Sequence, residues 1–137
     1  MINFDKIQVG DQLPEIRTQP ISRSTLALFA GASGDHNPIH IDIDFAQKAG
    51  LDDVFAHGML SMAYLGRLLT GWVPQTSIRN ISVRFTNITQ LNSVITCTGV
   101  VEEKLVEEGN NVIILFVNAL DEKGEIKVSG SAEIVIC

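Results

Sequence analysis

His57-Gly58-Met59-Leu60-Ser61-Met62-Ala63-Tyr64-Leu65-Gly66-Arg67-Leu68-Leu69-Thr70-Gly71-Trp72 is the most apolar helical segment of the chain. Met59, Leu60, Met62, Ala63, Tyr64, Leu65, Leu68, Leu69 and Trp72 fall on more than one face of a helix. A helix that is apolar nearly all round has to be covered nearly all round. Gly71 and Pro74 stop it. Arg67 breaks the apolar run, so the segment is a poor membrane span.

The cover comes from the residues that follow. Ile81, Val83 and Phe85 alternate with Ser82, Arg84 and Thr86, the period of a half-buried strand. Val94 to Val106 is rich in β-branched residues, Glu107 to Asn111 reads as a turn, and Val112 to Leu120 is a further strand. Asp121-Glu122-Lys123-Gly124 is a hairpin turn, and Ile126 to Ile136 alternates again. Long strands joined by tight turns pair antiparallel. The fold expected is α+β, a curved antiparallel sheet wrapped around a central helix.

The residues before the helix are more broken. Val9 to Pro14 reads as a turn, and Ile16, Thr18 and Pro20 as a short extended piece. Ser22 caps a short helix carrying Leu26, Leu28, Phe29 and Ala30. A Gly- and Asp-rich loop follows from Gly31 to about Ile41. Asp42 or Asp44 caps a second short helix, Phe45 to Ala49, which Gly50 ends; Leu51 to Ala56 is a connector.

At 137 residues, 45% hydrophobic and 19% charged, residues 1–137 read as one domain with a real core. The net charge of −6 and the scattered Lys and Arg exclude a basic stripe for nucleic acid. The start, Met1-Ile2-Asn3-Phe4-Asp5, lacks an export pattern, so a cytoplasmic chain with no membrane partner is expected. Cys97 and Cys137 have no metal-ligand spacing and read as free thiols. The acidic residues near 102–108 and 121–125 read as solvated turns. Arg79 and Arg84 flank a strand, where surface charge and a phosphate contact are equally good readings.

Chemistry concentrates in Ala30-Gly31-Ala32-Ser33-Gly34-Asp35-His36-Asn37-Pro38-Ile39-His40. Asp35 and His40 stand five residues apart in a loop constrained by Gly34 and Pro38. A carboxylate and an imidazole held this way can share and activate one water. The competing reading, Asp35 as a turn cap and His40 as a surface residue, does not explain the added constraints. His36 and His40 have i, i+4 spacing, but Pro38 between them breaks a helix, and a metal would need a third ligand such as Asp35 or Asp42. No metal is expected.

His57 reads as structural. Gly58 opens the apolar helix, where backbone N–H groups meet developing negative charge, and without a Cβ it admits a carbonyl closely. Met59, Met62 and Leu65 are flexible apolar residues suited to lining an acyl channel. Neither serine nor cysteine occupies a nucleophile setting: Ser33 and Ser61 lack G-x-S-x-G.

Taken together, Phe29-Ala30 through Asp35-His36-Asn37-Pro38-Ile39-His40, followed by Ala56-His57-Gly58-Met59, resembles the hydratase motif of the MaoC-like family. These are R-specific enoyl-CoA hydratases and related hydroxyacyl-thioester dehydratases, including subunits of the type II fatty-acid-synthase kind. The resemblance implies a hot-dog fold, a homodimer or higher oligomer, and an acyl thioester of coenzyme A or acyl carrier protein as partner. It implies no metal, flavin or nucleotide cofactor. It implies that Asp35 and His40 are the catalytic dyad, that the Gly58 N–H forms the oxyanion hole, and that Asn37 shapes the substrate site. The roles within the dyad stay open. Some members carry Ser nine residues beyond the His of the His-Gly pair; here that position is Gly66.

The reading is a lyase that hydrates a 2-enoyl thioester to the (R)-3-hydroxyacyl thioester. One rival is a hot-dog thioesterase, some of which carry an acid on the central helix; none stands between His57 and Val73. The other is a non-catalytic acyl-binding subunit, which would be expected to lack part of the dyad.

Overall fold

The structure, a computed structural model, describes residues 2–136. In chain order the elements are β1 (Ile16–Arg17), α1 (Arg23–Ser33), α2 (Ile43–Lys48), β2 (Phe55–Ala56), α3 (Gly58–Thr70), β3 (Ile78–Phe85), β4 (Thr89–Gln90), β5 (Thr96–Glu107), β6 (Asn110–Leu120) and β7 (Ile126–Ile136). Short 3₁₀ turns occupy Phe4–Lys6, Pro38–His40 and Gln75–Ser77.

Five strands form one antiparallel sheet in the order β1-β5-β6-β7-β3. The two hairpins leave long registers, from Thr96↔Leu120 to Glu107↔Asn110 and from Asn111↔Ile136 to Leu120↔Ile126. Alternate residues of these strands, Cys97, Val101, Ile113, Leu115, Val117, Ala132 and Ile134, point into the core. Leu60, Leu65, Leu68 and Leu69 of α3 meet them there. Each fully buried leucine of this kind stabilises by roughly 1.5–3 kcal/mol, so the helix and the curved sheet hold each other. This is the hot-dog arrangement.

The structure corrects several expectations. α3 is not covered all round: Gly58, Met59, Ala63, Arg67 and Thr70 are exposed along one side. α1 runs through Gly31 to Ser33, and the loop begins only at Gly34, whose left-handed φ of 77° ends the helix. α2 starts at Ile43, and Asp42 is its cap, accepting the N–H of Asp44 and Phe45. The connector before α3 holds β2, which pairs with β4 in a separate two-stranded ladder, Phe55↔Gln90 and Ala56↔Thr89. Two residues are too few for alternation to register in sequence.

The acids of the β6–β7 hairpin are not solvated as a group. Asp121 Oδ1 accepts the N–H of Lys123 and Glu125 at 2.9 Å, and Oδ2 lies 3.2 Å from the buried ammonium of Lys127. Lys127 Nζ also bonds Glu125 and donates to the Ile88 carbonyl at 2.9 Å. Cys97 is buried and free, and its thiol is pushed up to about 12 by burial; Cys137 lies outside the described residues. No helix among the described residues is long and apolar enough to cross a membrane.

Candidate active site

The site is assembled by local capping. Ser22 Oγ accepts the Thr25 N–H and starts α1; Gly34 ends it, donating its N–H to the Ala30 carbonyl at 3.0 Å. The chain can then turn back. Asp35 Oδ1 accepts the Asn37 N–H at 3.2 Å, and Asn37 Oδ1 accepts the Ile39 N–H at 3.1 Å. These bonds start the 3₁₀ turn Pro38–His40, with Pro38 at its first position, where a missing N–H costs nothing. Asp35 therefore caps its own turn and faces His40 with its other oxygen. A guanidinium fork from Arg23 to Asp53, at 3.0 and 2.5 Å, ties the start of α1 to the connector before β2.

His40 is buried, and its Nδ1 lies 2.8 Å from the Phe55 carbonyl on β2. A carbonyl only accepts, so Nδ1 carries the proton in the neutral ring and Nε2 keeps a lone pair. That Nε2 faces Asp35 Oδ2 at 3.8 Å. The gap is too long for a direct hydrogen bond and of the right width for one water that donates an O–H to each side. Asp35 is half exposed at its side chain, 50%, against 10% for His40.

His57 completes the cluster. It is 1% exposed, and its Nε2–H donates to the Asp35 carbonyl at 3.1 Å. Its ring stacks on His40 with centroids 3.9 Å apart and planes 27° from parallel, while the Phe29 ring meets it edge-on at 5.0 Å. Burial holds the His57 pKa below the ordinary histidine value; the bond to Asp35 works against this, and neighbouring His40 works with it. One ligand-type atom from each of Asp35, His40 and His57 falls within 4.8 Å of the others. The donor set suits a metal poorly, because His57 Nε2 spends its proton on a backbone carbonyl and offers no lone pair on that side. His36 is exposed and turned to the Gly34 carbonyl, so the His36–His40 pair considered for a metal does not form.

Gly58 begins α3, and His57 before it makes no side-chain cap bond, so the first N–H groups of the helix remain available to an anion. A Cβ at Gly58 would come within 2.9 Å of Phe85 Cδ1. A side chain at this position would therefore have to displace the half-exposed Phe85 ring, a contact not visible in the sequence. Beside the dyad lies a mostly apolar cavity of about 390 Å³ lined by Phe29, Ser33, Asp35, Met59, Met62 and Gly66, among others. Gly58 also borders a second cleft of about 300 Å³ with Phe55, Phe85, Thr86, Ile88 and Lys127.

The structure therefore brings Asp35 and His40 together, sets Gly58 next to His57 at the helix start, and puts Met59 and Met62 in the cavity. Leu65 is not there: it is fully buried in the core, on the side of α3 that meets the sheet, and cannot line the channel. Gly66 and Phe29 take that place. Asn37 spends its side-chain oxygen on the turn that presents His40. Arg79 is paired through Nη2 with Glu107 and Glu133, at 2.7 and 2.6 Å, so a phosphate there would compete with two carboxylates. Arg84 is exposed.

A family model described as "MaoC like domain" matches residues 6–118. The chain is 29% identical over 139 residues to the (R)-specific enoyl-CoA hydratase of Rhodospirillum rubrum, covering 97% of this chain and 90% of that protein. It is 33% identical over 79 residues to the mitochondrial 3-hydroxyacyl-[acyl-carrier-protein] dehydratase of Arabidopsis thaliana, 58% of this chain and 46% of that one. The R-hydratase PhaJ1 of Pseudomonas aeruginosa, solved unliganded, superposes with a TM-score of 0.82 at 28% identity, over 96% of this chain and 83% of that one. The matched segment contains Asp35, His40, the His-Gly helix start and most of the sheet, and the chain belongs to the MaoC-like domain family.

Proposed function

We propose that this protein is a hydro-lyase that adds water reversibly to the double bond of a 2-enoyl thioester of coenzyme A or acyl carrier protein, giving the (R)-3-hydroxyacyl thioester. The observation that carries the reading is the facing of Asp35 Oδ2 and His40 Nε2 at 3.8 Å, with the His40 proton fixed on Nδ1. Two acceptors at that spacing hold one water by both its hydrogens. The relatives' names supply the thioester class and the R configuration.

In the forward direction the water oxygen bonds to Cβ while His40 Nε2 takes one of its protons. The electron pair of the double bond moves onto the thioester oxygen, giving an enolate. The Gly58 N–H and the N-terminal dipole of α3 stabilise that charge. The imidazolium then returns the proton to Cα, so atoms and charge balance without any other group. Asp35 accepts the second O–H of the water and steadies the imidazolium. Acid–base groups of this type contribute about 10²–10⁴-fold, and one oxyanion donor about 10²–10³-fold. The acyl chain occupies the cavity of Met59, Met62 and Gly66, and the carrier arm leaves by the cleft beyond Gly58.

The thioesterase reading is weakened because some hot-dog thioesterases carry an acid on the central helix and α3 carries none. One assay separates the two reactions. Enoyl-CoAs of increasing chain length are followed by loss of the conjugated-enoyl absorbance while free thiol is measured alongside. Hydration without thiol release is expected. Thiol release without hydration, or no hydration at any chain length, refutes the proposal.

A further inference from the structure

The dyad accounts for Asp35 and His40 but not for the residue that touches both. His57 is sealed in the interior at 1% exposure, and its Nδ1 has no hydrogen-bond partner. A buried polar atom without a partner costs free energy, so a histidine used only as filler would be a poor choice at this position. What the ring gains is contact with each part of the site. Its Nε2–H holds the Asp35 carbonyl at 3.1 Å. Its face lies against His40 at 3.9 Å. Its own peptide leads into Gly58, the first residue of α3.

From this we infer that His57 is a positioning residue that joins the water-holding pair to the anion-binding helix start, fixing Asp35 by hydrogen bond and His40 by stacking. The inference rests on the hydratase reading for its kinetic consequence, not for its geometry. A neutral His57 is part of the device. The titratable groups around its ring are Asp35 and His40. His40 becomes cationic during turnover, and a second charge stacked at 3.9 Å would oppose it. The neutral ring offers a polarisable face instead, and the proton stays on the imidazole that faces the water. Burial disfavours charge on His57 in the same sense.

Two substitutions separate the two contacts. His57→Phe keeps a ring against His40 and removes the N–H. His57→Gln keeps an amide donor for the Asp35 carbonyl and removes the ring. Each should lower kcat on an enoyl-CoA by about 10- to 100-fold, with KM within about threefold, because small displacements of catalytic groups act on the reacting geometry. Nitrogen-15 NMR of the protein without substrate reads His40 directly. In the wild type His40 should be a single tautomer whose Nδ1 proton is held by the Phe55 carbonyl; in His57→Gln, with the stacked ring gone, that proton should exchange with solvent about tenfold faster or more. Because this readout needs no turnover, it stands even if the hydratase reading fails. Variants with wild-type kcat and unchanged exchange of the His40 Nδ1 proton, altered only in melting temperature, overturn the inference. Should neither variant fold, the wild type still decides. Its His57 should carry a slowly exchanging Nε2 proton held by the Asp35 carbonyl at neutral pH, and a freely exchanging Nε2 proton there overturns it.

Discussion

Asp35 and His40 differ in what else they hold, and substitutions should separate chemistry from folding accordingly. Asp35→Asn keeps the oxygen that accepts the Asn37 N–H and removes the charge that orients the water. With the side chain half exposed, the cost in stability should be small. The expected result is a fall in kcat of about 100-fold or more with a nearly unchanged melting temperature. His40→Ala should lose as much activity, and it strips a buried donor from the Phe55 carbonyl, so about 1–3 kcal/mol of stability should go with it. Near-normal hydration by both folded variants would remove the dyad. Gly58 is a sharper case, because a Cβ there meets the Phe85 ring. Gly58→Ala should lower kcat/KM by displacing that ring across the helix start. Phe85 is half exposed and free to shift, so Gly58→Ala combined with Phe85→Ala should recover much of the loss. If the double variant is no better than the single one, the crowding is not the cause and the glycine serves the thioester oxygen alone.

At the scale of elements, α3 divides its labour between two faces. Leu60, Leu65, Leu68 and Leu69 close the core, while Met59, Met62 and Gly66 line the cavity. A Cβ at Gly66 meets nothing within 4 Å, so Gly66→Leu should fold normally and extend into the cavity. Activity on long enoyl chains should fall by about tenfold or more relative to a four-carbon substrate, since a filled pocket rejects added methylenes; an unchanged chain-length profile would place the acyl group elsewhere. The β6–β7 hairpin makes a pH prediction. Burial alone would raise the Asp121 pKa, but the Glu125 and Lys123 N–H groups and the Lys127 ammonium outweigh it and hold it below the usual carboxylate value. The Asp121 contribution to stability is therefore present above its unfolded value near 3.8 and is lost as pH falls through the lower folded value. Asp121→Asn should narrow the difference in melting temperature between neutral and strongly acidic solution; an unchanged difference would discount the cluster. The long elements were legible because their periods repeat many times: the leucines of α3, and the alternation of β5 to β7. β2 and β4 were not, because a two-residue strand is specified by its partner. The facing of Asp35 and His40 was legible because their spacing and the constraining Gly and Pro lie in one segment. The placing of Leu65 failed because an all-apolar helix does not declare which face meets the sheet. Phe85 over Gly58 was missed because 27 positions and a change of element separate them in the chain.

The whole molecule leaves one long edge open. β3 pairs with β7 on one side and ends the sheet on the other, whereas the opposite end is capped by the two-residue β1. Met59 and Phe85, at 53% and 51%, are exposed near this edge and the cavity beside it. An uncovered strand edge with apolar neighbours invites pairing. Two copies joined β3 to β3 would continue the sheet, and a two-fold axis requires the two strands to meet antiparallel. The second copy would also shield the cavity, whose lining includes Ile81 of the same strand. Light scattering at micromolar concentration should give twice the mass of the chain. Each copy carries a net charge of −6, so the dimer should dissociate more readily at low ionic strength, where repulsion is least screened. On the proposed function, specific activity on enoyl-CoA should fall in step with dissociation on dilution, because the monomer leaves the cavity beside Asp35 open to water. A chain that scatters as a monomer and keeps full specific activity at every dilution would show that the β3 edge is closed by something other than a second copy and that the cavity works uncovered.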